Sequence, residues 1–161
     1  MNVAKAPTIP PALASWPGYL LAFISERTAD RFERALAPEG VKGRHAAVLA
    51  LIDAEGPLSQ RELGRRLGID KSPMVGVIDD LERLGYAHRR KSAEDRRVQA
   101  IHVTASGLRV LARIIEFAEV ENARTFGVLD DDEREHMHAL LRRVAEASAA
   151  IDADDFERRI A

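Results

Sequence analysis

At 161 residues the chain is the size of one domain, or one domain with appended arms, and it can bury a core without covalent staples. It has no cysteine, which excludes disulfides, thiolate metal sites and cysteine redox sensing, and fits a cytoplasmic protein. The net charge of −2 argues against a uniformly basic nucleic-acid binder. The distribution is uneven, however. Residues 1–60 are net zero, 61–97 carry ten basic against seven acidic side chains, and 98–161 carry eight against thirteen. A compact basic patch in a near-neutral chain can still bind phosphates.

Residues 1–17, rich in Pro and Ala, are expected to form an extended arm, with neither the apolar centre of a secretory signal nor a bilayer-spanning run. Pro17-Gly18 marks the start of a helix to about Leu36, with Leu20, Ile24, Thr28 and Ala35 near one face. Pro38-Glu39-Gly40 ends it. A second helix is expected over Arg44–Ala54, with Ala47, Val48 and Leu51 on its apolar side, until Glu55-Gly56-Pro57 breaks it. Leu58 starts a very short strand. Ser59-Gln60-Arg61-Glu62 is a capping box that opens a third helix with Leu63 and Leu67 inward. Gly68 stops that helix, where a left-handed residue is needed. Asp70 can cap the next helix, and Pro73 is tolerated in its first turn. Met74, Val77, Ile78, Leu81 and Leu84 recur at helical spacing and form one buried stripe.

After Gly85 the period changes. Tyr86–Lys91 and Val98–Val103 read as two strands joined by the polar turn Ser92-Ala93-Glu94-Asp95. Thr104 caps a long helix to about Val128. Asp130, with Glu133 three residues on, opens a last helix to at least Ile151, with Leu140, Leu141, Val144 and Ala147 on its apolar side. The fold class is therefore mainly α with a small β-hairpin: a winged helix-turn-helix over about 41–104, flanked by long helices over about 18–36 and 105–151. Residues 18–161 read as a single domain.

This order of elements puts one helix where it can enter a major groove, held to the core by its stripe. Its other face carries Lys71, Ser72, Val75, Gly76 and Asp79. Gly76 and Ser72 are small enough for close approach, and Lys71 and Ser72 lie near the end where the helix dipole favours phosphate. The hairpin carries Arg89, Arg90, Lys91, Arg96 and Arg97 within nine positions. Two strands and a short loop project such cations outward, towards the minor groove and phosphates. Either feature alone is common: helix pairs occur widely, and a charged hairpin is usually a solvated edge. In tandem, with Gly68 and Gly85 at the breaks, they point to duplex DNA.

The runs Leu58–Leu63, Leu67–Ser72 and Asp79–Tyr86 resemble the DNA-binding core of the MarR family (multiple antibiotic resistance regulators). Glu94-Asp95-Arg96-Arg97 followed by Val103-Thr104-Ala105-Ser106-Gly107 is the most specific part; Val103 stands where the family pattern has Leu. The match is strongest over Val41–Leu111. The resemblance implies a transcriptional regulator, commonly a repressor, that acts as a homodimer through its first and last two helices. It implies that Arg97 is the wing arginine and that Asp70 and Asp95 orient the wing, Asp70 by a salt bridge to Arg97. The plainer reading of Asp70 as an N-cap is compatible. Val75-Gly76-Val77 is less polar than the family's usual recognition helix, which shifts base readout towards Lys71, Ser72, Asp79 and the wing.

The resemblance also implies release from DNA by a small aromatic or phenolic effector; no cofactor is expected. Arg27, Arg31, Arg44 and His45 are the candidate polar groups at the junction, against the plainer reading of surface arginines and a helix-start histidine. Trp16 is a candidate to pack on a partner subunit or to cover a ligand, packing being the plainer reading. The five histidines show no metal-ligand spacing, although His88 and His102 can approach across the hairpin. Gly-rich phosphate loops and nucleophile elbows are absent, so an enzyme is not expected. The competing class is a winged-helix protein-interaction module, which would show an exposed apolar patch rather than a basic wing.

Overall fold

A computed structural model describes residues 8–91 and 99–160, with side chains through residue 150. It divides into two compact units, 1–121 and 122–161. Among the described residues the elements in chain order are α1 (Pro17–Leu36), α2 (Gly43–Glu55), β1 (Leu58–Ser59), α3 (Gln60–Leu67), α4 (Lys71–Arg83), β2 (Ala87–Lys91), β3 (Gln99–Val103), α5 (Ala105–Phe126) and α6 (Asp131–Ile160). Short 3-10 turns cover Pro11–Leu13 and Ala37–Glu39. The order is that of a mainly α fold with a small antiparallel sheet.

The sheet has three strands in the order β1-β3-β2, one more than a bare hairpin. Leu58 pairs with Ile101 and Ser59 with Ala100, which ties the hairpin to the start of the helix pair. The β2–β3 register runs from Ala87 opposite Val103 to Lys91 opposite Gln99.

One core joins these elements. Val48, Leu49 and Ile52 of α2, Leu63 of α3, and Met74, Val77, Ile78 and Leu81 of α4 meet Ala87, Ile101 and Leu111. The stripe of α4 lies inward at the expected positions, with Leu84 half-buried. On α2 the buried face is His45, Ala46, Val48, Leu49 and Ile52, while Ala47 and Leu51 are only half-buried. The expected face was thus turned: the i, i+3, i+4, i+7 set starting at His45 is the one that α4 and the sheet cover. A second cluster gathers Leu36, Val41, Ala46, Val110 and Ile114. Of α1 only Leu36 is buried, and Ile24 is exposed.

Local chemistry sets the breaks. Ser59 Oγ accepts the Glu62 N–H at 3.2 Å, as a cap should, but the Glu62 carboxylate goes to Arg65 and Arg66 rather than completing the box. Gly68 is left-handed at φ 62°, and the Ile69 N–H returns to the Gly64 carbonyl at 2.9 Å. A Cβ on Gly64 would sit 2.8 Å from the Ile69 oxygen, so this tight turn needs both glycines. Thr104 Oγ1 donates to the Gly85 carbonyl at 2.7 Å and accepts the Gly107 N–H at 3.0 Å, which locks α5 to the foot of the sheet.

In the second unit the capping box opening α6 is complete. The Asp130 N–H donates to Glu133 and the Glu133 N–H donates to Asp130, at 3.0 and 2.9 Å. The helix continues to Ile160, in keeping with the expected run to at least Ile151, and Leu140, Leu141 and Val144 on it are exposed.

Candidate nucleic-acid interface

The outer face of α4 presents Lys71, Ser72, Val75, Gly76 and Asp79, all exposed. They fall on one side because the inward stripe occupies the other. Nothing lies within 4 Å of where a Gly76 Cβ would be, so the fold does not demand glycine there; its effect is to leave room on the outer surface. Asp70 occupies the N-cap position of α4, but its carboxylate makes no capping hydrogen bond. Its expected role as a side-chain cap is therefore corrected. Its proposed partner Arg97, with Asp95 and Arg96, lies outside the described residues.

The wing cations divide into two sets. Arg90 and Lys91 are exposed at the outer end of β2. Arg89, expected to project outward with them, turns back instead and retains 21% side-chain exposure. Alternation along β2 explains this: Ala87 and Arg89 share the face that packs on α4, and His88 and Arg90 share the other. The Arg89 guanidinium bonds Asp79 at 2.7 Å, Glu82, and Gln60 Oε1 at 3.4 Å. Its backbone N–H also donates to Glu82, at 2.7 Å. Burial pulls its pKa down, yet the bonds to Asp79 and Glu82 hold it above the ordinary value. Asp79 is thus both an outer-face residue of α4 and an ion-pair partner of the wing. Glu82 and Gln60 are partners of Arg89 that the sequence did not single out. The one available signal was their placement on α4 and at the start of α3, beside a strand rich in arginine.

The residues proposed for an effector do not converge. Arg27 lies over the Phe23 ring, 4.2 Å from its centroid. Arg31 pairs with Glu121. Arg44 is exposed. His45 is 3% exposed; its Nδ1 accepts the Lys42 N–H at 2.8 Å, and its Nε2 faces Asp80 at 3.6 Å. Burial holds its pKa below the ordinary imidazole value, against the opposing pull of Asp80. It is a helix-start residue satisfied by the fold. A cleft of about 300 Å³ does exist nearby, lined by Ala35, Leu36, Glu39, Arg113, Ile114 and Phe117 among others, but none of those four candidates lines it. An Arg113–Glu39 ion pair sits at this cleft.

His88 and His102 are opposite each other in the register and stack, with centroids 5.5 Å apart and planes 10° apart. Burial, then His88 and Arg90, lower the His102 pKa. Among the described residues no group of three or more histidine or carboxylate ligands could hold a metal ion, and no helix is long and apolar enough to cross a membrane.

A helix-turn-helix with a basic wing is the architecture of a class of transcriptional regulators, and the comparisons agree. Residues 39–98 match the family model described as MarR family. The HTH-type transcriptional repressor YetL of Bacillus subtilis is 30% identical over 118 residues, covering 71% of this chain and 69% of that protein. The chain belongs to the MarR family, a family of transcriptional regulators rather than enzymes. The HTH-type transcriptional regulator YkoM of Bacillus subtilis is 33% identical over 97 residues, 60% of this chain; only 63% of YkoM's own length is spanned. The crystal structure of CouR from Rhodococcus jostii RHA1, bound to p-coumaroyl-CoA, superposes with a TM-score of 0.74 at 28% identity, covering 84% of this chain and 96% of that one.

Proposed function

We propose that the protein is a sequence-specific regulator that binds duplex DNA as a homodimer on a pseudo-palindromic operator, in the cytoplasm, and represses until a small effector releases it. The observation that carries this reading is the exposed face of α4, from Lys71 to Asp79, flanked by the exposed cations Arg90 and Lys91 of the wing. A helix of this width fits the major groove, and the wing cations reach phosphates beside it. Lys71 and Ser72 supply donors at the helix N-terminus, and the wing sequence Asp95-Arg96-Arg97 continues the basic arm with Asp70 and Asp95 orienting it. Twofold symmetry then spaces the half-sites about one helical turn, ~34 Å.

For the effector, the cleft between the end of α1 and the middle of α5 offers an apolar floor in Leu36, Ile114 and Phe117 with a charged rim. A small aromatic or phenolic compound matches that lining, and the ligand of CouR carries such a group. The cleft takes the place of the Arg27, Arg31, Arg44 and His45 set as the effector site.

The test is a mobility-shift titration on the protein's own upstream intergenic duplex, with random duplex as competitor, at two salt concentrations. The expected result is a complex that survives competitor and weakens as salt rises. Binding no tighter than to random duplex would sink the operator reading and favour a winged helix that binds protein.

A further inference from the structure

Arg89 is the first cation of the wing, yet its side chain serves the protein. It joins three elements: β2 by its own backbone, α4 through Asp79 and Glu82, and α3 through Gln60. Glu82 receives both the backbone N–H and the guanidinium, so the direction of β2 leaving the core is fixed against α4 at two points. Asp79 has a different consequence. It lies seven residues after Ser72 and four after Val75, on the groove-facing side of α4, and its side chain is 57% exposed. A bare carboxylate there would repel the phosphates that flank a groove. Arg89, less exposed than its partner, places a positive charge 2.7 Å from it on the protein side.

We propose that Arg89 is a positioning residue for DNA binding: it neutralises Asp79 and clamps the wing to the recognition helix without itself touching DNA. The inference rests on the regulator reading above. The geometry needs a planar fork with several donors, which arginine has and lysine lacks. A guanidinium committed to two carboxylates and an amide has little left to offer a phosphate.

The experiment measures binding of wild type, Arg89→Ala, Arg89→Lys and the Arg89→Ala/Asp79→Asn double variant. The probes are the upstream intergenic duplex and a random duplex, across a salt series, with thermal midpoints recorded alongside. Arg89→Ala is expected to weaken binding about tenfold or more while the slope of log affinity against log salt stays at the wild-type value. The double variant is expected to recover part of the lost affinity, because the uncompensated Asp79 carboxylate on the groove-facing side has gone while the guanidinium's bonds to Glu82 and Gln60 stay lost. Arg89→Lys should fall between wild type and Arg89→Ala. A slope that drops by about one in Arg89→Ala would overturn the inference and make Arg89 a phosphate contact. Loss of affinity without recovery in the double variant would overturn it too, leaving a merely structural arginine. Wild type that binds neither duplex defeats the regulator reading itself and is read before any variant.

Discussion

His45 carries a pH dependence whose direction follows from its surroundings. Its Nδ1 accepts a backbone N–H, so the neutral ring must carry its proton on Nε2, towards Asp80. Protonating Nδ1 would set a donor against a donor at the start of α2. Burial lowers its pKa from the ordinary 6.5, with Lys42 and Arg83 acting the same way and Asp80 and Glu33 opposing. The unfolded chain therefore binds the proton more readily than the folded one. The resulting stability is complete above about pH 6.5 and is lost as pH falls towards the folded-state value. The thermal midpoint of wild type should thus drop on acidification below that point. His45→Asn keeps an acceptor near the Nδ1 position but has nothing to titrate, so its midpoint should depend less steeply on pH over the same range. Identical pH slopes for the two proteins would remove His45 as the source. Part of the slope should survive in the variant, since burial, His88 and Arg90 depress His102 in the same direction.

At the scale of elements, the joint between sheet and α5 is held by Thr104 and admits no side chain at Gly107. A Cβ on Gly107 would run into the Tyr86 carbonyl, which is backbone and has no rotamer to change. Gly107→Ala should therefore lower unfolding stability by about 1–3 kcal/mol, the cost of overpacking. Gly76→Ala, in open space on α4, should instead raise it by ~0.5–1 kcal/mol through helix propensity. Urea denaturation of the two variants checks both signs; a neutral Gly107→Ala would mean that the joint can open at little cost. This contrast also shows what could be read from the chain. The caps at Ser59, Thr104 and Asp130 and the stop at Gly68 were legible because their chemistry closes within four residues. The stripe of α4 was legible because five apolar positions agree on one face. Arg89 was not, since one of its partners, Gln60, comes from 29 residues away, and a strand period does not say which face a helix will cover. The face of α2 was misplaced because apolar residues nearly surround that helix, so periodicity alone does not choose a side. Arg31 illustrates the same limit: its partner Glu121 is 90 residues away, and nothing local in the sequence distinguishes that pair from a ligand-binding arginine.

Across the whole molecule, large apolar side chains are exposed mainly on the helices outside the winged core. Trp16, beside α1, and Leu21 and Ile24 on it, Leu108, Ile115 and Val120 on α5, and Leu140, Leu141 and Val144 on α6 are all open, whereas Val75 is the one such residue among those described between Val41 and Thr104. A single chain gains nothing by showing water this much apolar surface, while a second copy can bury it at ~25 cal/mol per Å². On α6, Leu140 and Val144 are one turn apart and form a row with Leu141 beside them. Light scattering of wild type should give a dimer. Leu140→Glu/Val144→Glu should shift it towards monomer, since two buried carboxylates without partners cost far more than the apolar contact they replace. The winged core lies in the other unit and should keep its helical content by circular dichroism. Binding to the upstream duplex should weaken sharply, and the salt slope should fall by roughly half, because a monomer releases counterions from one half-site only. A wild type that is monomeric at micromolar concentration, or a double variant that stays dimeric, would place the subunit contact elsewhere. A monomeric variant with undiminished affinity and slope would mean that one wing and one recognition helix account for all of the binding.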